Sequence, residues 1–138
     1  MNIVRNILGV VIGIVIGSLV NIGIITLGHM LVPLPVGADV STMEGLAAAI
    51  SQFETKHFIF PFLAHAGGPF VGTIVAVLIA ASHKSKIAIG MAVFFLLGGI
   101  LANVTIPAPF WFKAVDLIFA YIPTSLIGAW LGGAFKKA

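Results

Sequence analysis

The sequence predicts an all-α membrane protein, a four-transmembrane-helix antiparallel bundle with a short amphipathic helix in one connection. Of the 138 residues, 60% are hydrophobic and only 8% are charged, and the mean hydropathy is +1.21. Soluble domains average about 25% charged residues. Four apolar stretches are also long enough to cross the hydrocarbon core, which takes about 20 residues of helix.

The four spans follow one another within a single domain that covers residues 1–138. Proline pairs end the first and third spans, at Pro33 and Pro35 and at Pro107 and Pro109. Glycine and proline inside the other stretches are compatible with membrane helices, which tolerate both. The predicted spans are about 7–32, 58–82, 87–106 and 115–135.

The connection from residue 33 to residue 57 is too long for a structureless loop in so small a protein. Ser41 and Glu44 have the spacing of a helix capping box. Apolar residues then recur at helical spacing. These patterns predict an amphipathic helix over about 42–55, lying on the outer interface or across the mouth of the bundle.

Basic residues predict that both chain ends lie on the cytoplasmic side. With the N-terminus inside, Arg5, Lys84, Lys86, Lys136 and Lys137 lie on the inner side. Lys56 and Lys113 lie on the outer side. This excess of inner Lys and Arg follows the positive-inside rule.

Small residues recur four positions apart in every span, as in Gly9, Gly13 and Gly17 of the first. Because lipid supplies no hydrophobic drive for helix association, such residues allow close backbone packing instead. Packing within one chain explains the pattern. An additional contact with another subunit, and hence a homo-oligomer, is the second interpretation.

The candidate site is a polar cavity in the outer half of the protein, because ionisable residues within spans are functional candidates. His65 is the first candidate, and it shares a helix face with Gly68 and Gly72. The cavity is predicted to contain Asn21, His65, Asn103 and Asp116. The alternative for His65 is an ordinary hydrogen bond to a neighbouring helix.

Glu54 and His57 are possible outer-face site residues, although hydration near a helix end also explains them. Their i, i+3 spacing is half of a carboxylate-bridged metal site, but no second pair exists. The sequence has no cysteine, which excludes thiolate sites. No catalytic residue, metal or cofactor is predicted. The net charge of +3 reflects membrane orientation, so nucleic acid is not an expected partner.

Three segments resemble a group of small bacterial four-span proteins known only as hypothetical proteins. The segments are Gly37-Ala38-Asp39-Val40 through Met43-Glu44-Gly45-Leu46, Lys56-His57-Phe58-Ile59-Phe60-Pro61-Phe62-Leu63-Ala64-His65-Ala66 and Ala120-Tyr121-Ile122-Pro123. The resemblance implies a multi-pass protein of the bacterial inner membrane and implies no activity.

Three functions are compatible with these patterns. The first is a non-enzymatic oligomeric membrane module, either an accessory or scaffold subunit of a larger membrane complex or a binder of lipid or an apolar molecule at the outer leaflet. The second is a small oligomeric channel or transporter with an outward-facing polar cavity, although its inner half is apolar where a conduction path needs polar lining. The third is an intramembrane enzyme that uses His65 or His57 with Asp116 or Glu54 as acid and base.

Overall fold

A computed structural model describes residues 1–136, and these residues form helices and turns without any β-strand. Lys137, which was counted among the inner basic residues, lies outside the described residues. The helices are α1 (Asn2–Leu31), α2 (Met43–Ala49), α3 (Ile59–Ile79), α4 (Lys84–Thr105), α5 (Phe110–Phe119) and α6 (Ile122–Leu131). Four helical segments are long and apolar enough to span a membrane: Asn2–Leu31, Thr55–Ile79, Lys84–Thr105 and Phe110–Leu131. The predicted all-helical class with four spanning segments is confirmed.

Glycines bring α1 into backbone contact with α3. A Cβ atom added to Gly9, Gly13 or Gly17 would lie 2.7, 2.5 or 2.6 Å from a carbonyl oxygen of α3. Those oxygens belong to Ala76, Gly72 and Gly68 in turn, so the two helices run antiparallel. The small-residue stripe of α1 is therefore used within the chain, as the intramolecular interpretation predicts.

Residues at the start of α1 also form hydrogen bonds with the turn between α3 and α4. The Asn6 side chain accepts hydrogen bonds from the amides of Ala81 and Ser82, at 2.9 and 3.2 Å. The Arg5 guanidinium donates twice to the carbonyl of Ile79, at 3.2 and 3.0 Å. Because the last carbonyls of a helix carry partial negative charge, this arginine stabilises the end of α3.

The connection 33–58 differs from its predicted form. Its α-helix ends at Ala49, and two 3₁₀ turns, Ile50–Gln52 and Thr55–Phe58, follow. The expected Ser41–Glu44 capping box is wrong, because Thr42 is the N-cap and accepts from the amide of Gly45. Ser41 instead donates from its hydroxyl and its amide to Asp39, and these bonds lower the pKa of that exposed carboxyl.

The fourth span begins earlier than predicted, at Phe110, and breaks between α5 and α6. Pro123 explains the break, because it has no amide proton and its ring clashes with the carbonyl four residues before it. The break leaves Tyr121 between the helices, where it is 4% exposed. In this position Tyr121 contacts both Asp116 and His65 of the candidate site.

Candidate functional site

Asp116 is the centre of a hydrogen-bond network among α3, α4 and α5, and it is fully buried. Its Oδ1 atom lies 2.8 Å from Nδ1 of His65. Its Oδ2 atom accepts from the Asn103 amide at 3.2 Å and from the Tyr121 hydroxyl at 2.9 Å. A buried carboxylate needs such donors, since leaving it without partners costs several kcal/mol (about 3–5 for a broken buried pair).

His65 lies on α3, one turn before Pro69. Its ring stacks on Tyr121 with the ring centroids 5.8 Å apart. Its side chain keeps 20% of its surface exposed, whereas its partner Asp116 has none. Of these two residues, His65 is therefore the one that an outside molecule can reach.

Asn103 and Tyr121 are themselves fixed by neighbours on α4 and α5. The Asn103 amide also donates to the carbonyl of Gly99 at 2.9 Å, and the Lys113 ammonium donates to the Asn103 carbonyl at 2.6 Å. Gly99 allows Tyr121 to approach, because a Cβ atom at Gly99 would overlap the tyrosine ring. Both donors to Oδ2 of Asp116 are thus held in one orientation.

A cavity of about 290 Å³ lies beneath the connection 33–58, and we call it the covered cavity. Ile25, Gly28 and His29 of α1 form one wall, and Phe60, Pro61 and His65 of α3 form another. The connection contributes the cover through Leu34, Val40, Leu46, Ile50 and Phe53. Its lining is almost entirely apolar, and its volume approaches the lower limit of ordinary small-molecule pockets, about 300 Å³.

A second, more open space of about 530 Å³ lies between α1 and α4, and we call it the lateral cleft. Ser18, Asn21 and Ile22 line it on α1. Phe94, Leu97, Gly98 and Leu101 are among its residues on α4. His65, Pro69 and Tyr121 also line it. His65 thus lies at both the covered cavity and the lateral cleft.

Glu54 and His57 lie apart from this network. The Glu54 carboxylate is largely exposed and pairs with Lys56 at 3.1 Å. His57 is 8% exposed, and its Nδ1 accepts from the Glu54 amide at 2.9 Å. Its Nε2 lies 3.2 Å from the carbonyl of Pro33, so the Nε2–H tautomer satisfies both contacts. His57 therefore ties the two ends of the connection together.

The structure brings three of the four predicted cavity residues, His65, Asn103 and Asp116, into direct contact. Asn21 lies across the lateral cleft on α1 and lines the same space as His65. Sequence reasoning missed Tyr121, although it is the one tyrosine of the sequence and follows Asp116 by five residues. The available signal was Pro123, because a proline at that position predicts that the helix carrying Asp116 ends before Tyr121.

His65 is a polar group of fixed orientation in the wall of an otherwise apolar pocket. A carboxylate that accepts from Nδ1 fixes the imidazole ring and leaves Nε2 for another partner. Within residues 1–136, no group of three or more His, Cys, Asp or Glu side chains is arranged to hold a metal ion. His65 borders hydrocarbon-lined space, and an imidazole in that position suits recognition of an amphiphilic molecule.

Comparisons with protein-family models, with curated proteins and with solved structures found no match. The function is therefore inferred from the geometry of the described residues.

Proposed function

We propose that this protein binds an amphiphilic, lipid-like molecule in its outer half, with the hydrocarbon part in the covered cavity and the polar group at His65. The observation that carries the proposal is the position of His65, a partly buried imidazole that is oriented by a carboxylate and lies at the inner end of an apolar cavity. Ligand pockets combine these features, an apolar lining and a few fixed polar groups.

The lateral cleft provides a route from the bilayer to the same histidine. It opens between α1 and α4, and its residues on the membrane side are apolar, including Leu97 and Leu101, which are 61% and 65% exposed. A lipid-like molecule could therefore reach His65 without leaving the hydrocarbon. This access favours a ligand that dissolves in the membrane over a water-soluble one.

The proposal includes a membrane layout. We propose an antiparallel four-helix bundle in a bacterial inner membrane, with both chain ends on the cytoplasmic side and the connection 33–58 at the outer interface. The distribution of Lys and Arg and the antiparallel α1–α3 contact support this layout. Gly90 and Gly98 of α4 have open space beside them, which supports a homo-oligomer through that helix.

The close packing of the inner half argues against the alternative of a channel. In that half, Gly9 and Gly13 leave no room even for a methyl group between α1 and α3. A conduction path needs polar or hydrated lining along its whole length. We therefore favour ligand binding over transport as the proposed function.

The experiment uses purified protein in nanodiscs of synthetic lipid, with a diazirine-bearing long-chain alcohol as the probe. After irradiation, mass spectrometry should locate the label on peptides that line the covered cavity. Ile25→Trp adds bulk inside the cavity, whereas the control Leu27→Trp adds it on the exposed, lipid-facing side of α1. We expect labelling to fall about tenfold in Ile25→Trp alone, since the indole would occupy the space of the hydrocarbon chain and a loss of about 1.4 kcal/mol of binding free energy is tenfold in affinity.

Equal labelling of these two variants would overturn the proposal, and so would label distributed over the lipid-facing surface. Both results would show that the covered cavity does not hold the hydrocarbon chain.

A further inference from the structure

We propose that the polar group recognised at His65 is an uncharged hydroxyl, so that the ligand is a neutral, hydroxyl-bearing lipid. This inference depends on the proposed binding function and specifies the chemical class of the ligand. It follows from the hydrogen-bonding role that the network gives to each polar atom of His65.

The carboxylate of Asp116 determines which imidazole nitrogen of His65 carries the proton. An ionised carboxylate only accepts hydrogen bonds, so the 2.8 Å contact with Oδ1 requires a proton on Nδ1 of His65. In a neutral imidazole the other nitrogen, Nε2, is then an acceptor.

Pro69 adds a second acceptor at the same residue. Proline has no amide proton, so it cannot donate to the carbonyl four residues earlier in the helix, which belongs to His65. His65 and Pro69 both line the lateral cleft. The side-chain nitrogen Nε2 is the acceptor assigned to the ligand, and a hydrogen-bond donor complements it.

The charges nearby argue against an anionic headgroup. A carboxylate or phosphate at Nε2 would have the buried carboxylate of Asp116 on the other side of the same ring. Lys56 lines the covered cavity, but its ammonium already pairs with Glu54 at 3.1 Å. A hydroxyl supplies a donor without adding a second negative charge.

Replacement of Asp116 by asparagine should reverse the role of Nε2. Two fixed donors, the Asn103 amide and the Tyr121 hydroxyl, lie at the Oδ2 position, so the carbonyl oxygen of the new amide should occupy that position. Its NH₂ group then faces Nδ1 of His65 and donates to it. The proton of the imidazole moves to Nε2, which becomes a donor.

The test compares three diazirine probes of one chain length: a long-chain alcohol, its methyl ether and the corresponding carboxylic acid. For the wild-type protein in nanodiscs at neutral pH, we expect the alcohol to label the covered cavity about tenfold more strongly than either other probe. In Asp116→Asn the ether should equal or exceed the alcohol, because Nε2 now donates. Asp39→Asn, an exposed aspartate outside the spans, is the control and should retain the wild-type order.

His65→Phe is a second variant that keeps an aromatic ring and removes both nitrogens. It should label equally with alcohol and ether, which tests the inference even if Asp116→Asn does not fold. Strongest labelling by the carboxylic acid in the wild-type protein would overturn the hydroxyl assignment, as would equal labelling by alcohol and ether. Those results would leave hydrocarbon binding intact, whereas absence of cavity labelling by all three probes would refute the binding function itself.

Discussion

At the scale of single residues, Tyr121 links the packing of α4 to the polarity of the site. Its hydroxyl donates to Asp116 at 2.9 Å, and its ring lies directly on Gly99. The ring can reach this position only because residue 99 has no side chain. The glycine at position 99 is therefore a requirement of the network rather than of helix geometry.

We predict that Gly99→Ala destabilises the protein and weakens alcohol labelling at His65. The added methyl would displace Tyr121 and leave Oδ2 of Asp116 with one donor fewer, at a cost of about 1–3 kcal/mol. Gly23→Ala is the control, since position 23 has nothing within 4 Å of an added Cβ atom. Thermal unfolding in detergent, followed by circular dichroism, should show a lowered Tm for Gly99→Ala only. Equal Tm values for both variants would contradict the packing role of Gly99.

At the scale of elements, the α1–α3 pair depends on backbone contact instead of side-chain interdigitation. Gly13 and Gly17 of α1 face Gly72 and Gly68 of α3, and a Cβ atom on either helix would meet a carbonyl of the other. Van der Waals contact and the exclusion of lipid hold such an interface together. Arg5 and Asn6 add polar contacts at one end of it.

We predict that Gly13→Val separates α1 from α3 and lowers the Tm. Backbone atoms cannot move aside as a flexible side chain can, so the cost should exceed that of ordinary overpacking, about 1–3 kcal/mol. Gly23→Val is the control on the same helix, because position 23 has nothing within 4 Å of its added Cβ. If Gly23→Val destabilised the protein as much as Gly13→Val, the effect would be one of helix propensity and not of helix contact.

At the scale of the whole molecule, basic residues and the connection 33–58 distinguish the two ends. Arg5, Lys84 and Lys86 lie at the end that contains the α3–α4 turn. The covered cavity and most acidic residues lie toward the other end. This charge distribution follows the positive-inside rule and supports the proposed layout, in which the first end is cytoplasmic.

We predict that single cysteines at the two ends react from opposite sides of the membrane. The natural sequence has no cysteine, so Ser41→Cys and Ser85→Cys each provide one thiol. In intact cells whose outer membrane has been made permeable, a membrane-impermeant maleimide should label position 41, and position 85 should react only after lysis. The reverse pattern would invert the layout, and partial labelling of both would indicate dual topology.

The sequence predicted the residues of the site better than their contacts. Hydropathy identified four spans because the bilayer imposes a length and an apolar composition on each. Position within the spans indicated His65, Asn103 and Asp116. The pairing of these residues depends on helix rotation and on Gly99, Tyr121 and Pro123, which no periodicity encodes. The cap at Thr42 was missed because Ser41, one residue earlier, has an equally good hydroxyl that the structure uses for Asp39.

The glycine contact between α1 and α3 also has an electrical consequence. The helix pair is closely packed at Gly9 and Gly13, whereas His65 and Asp116 lie beyond these contacts, toward the connection 33–58. Because this contact leaves no room for water between the two helices, a charge that crossed it would work against the transmembrane voltage, about 2.3 kcal/mol per elementary charge per 100 mV. The hydroxyl ligand that we propose carries no charge, so its occupancy of His65 should be insensitive to the membrane voltage.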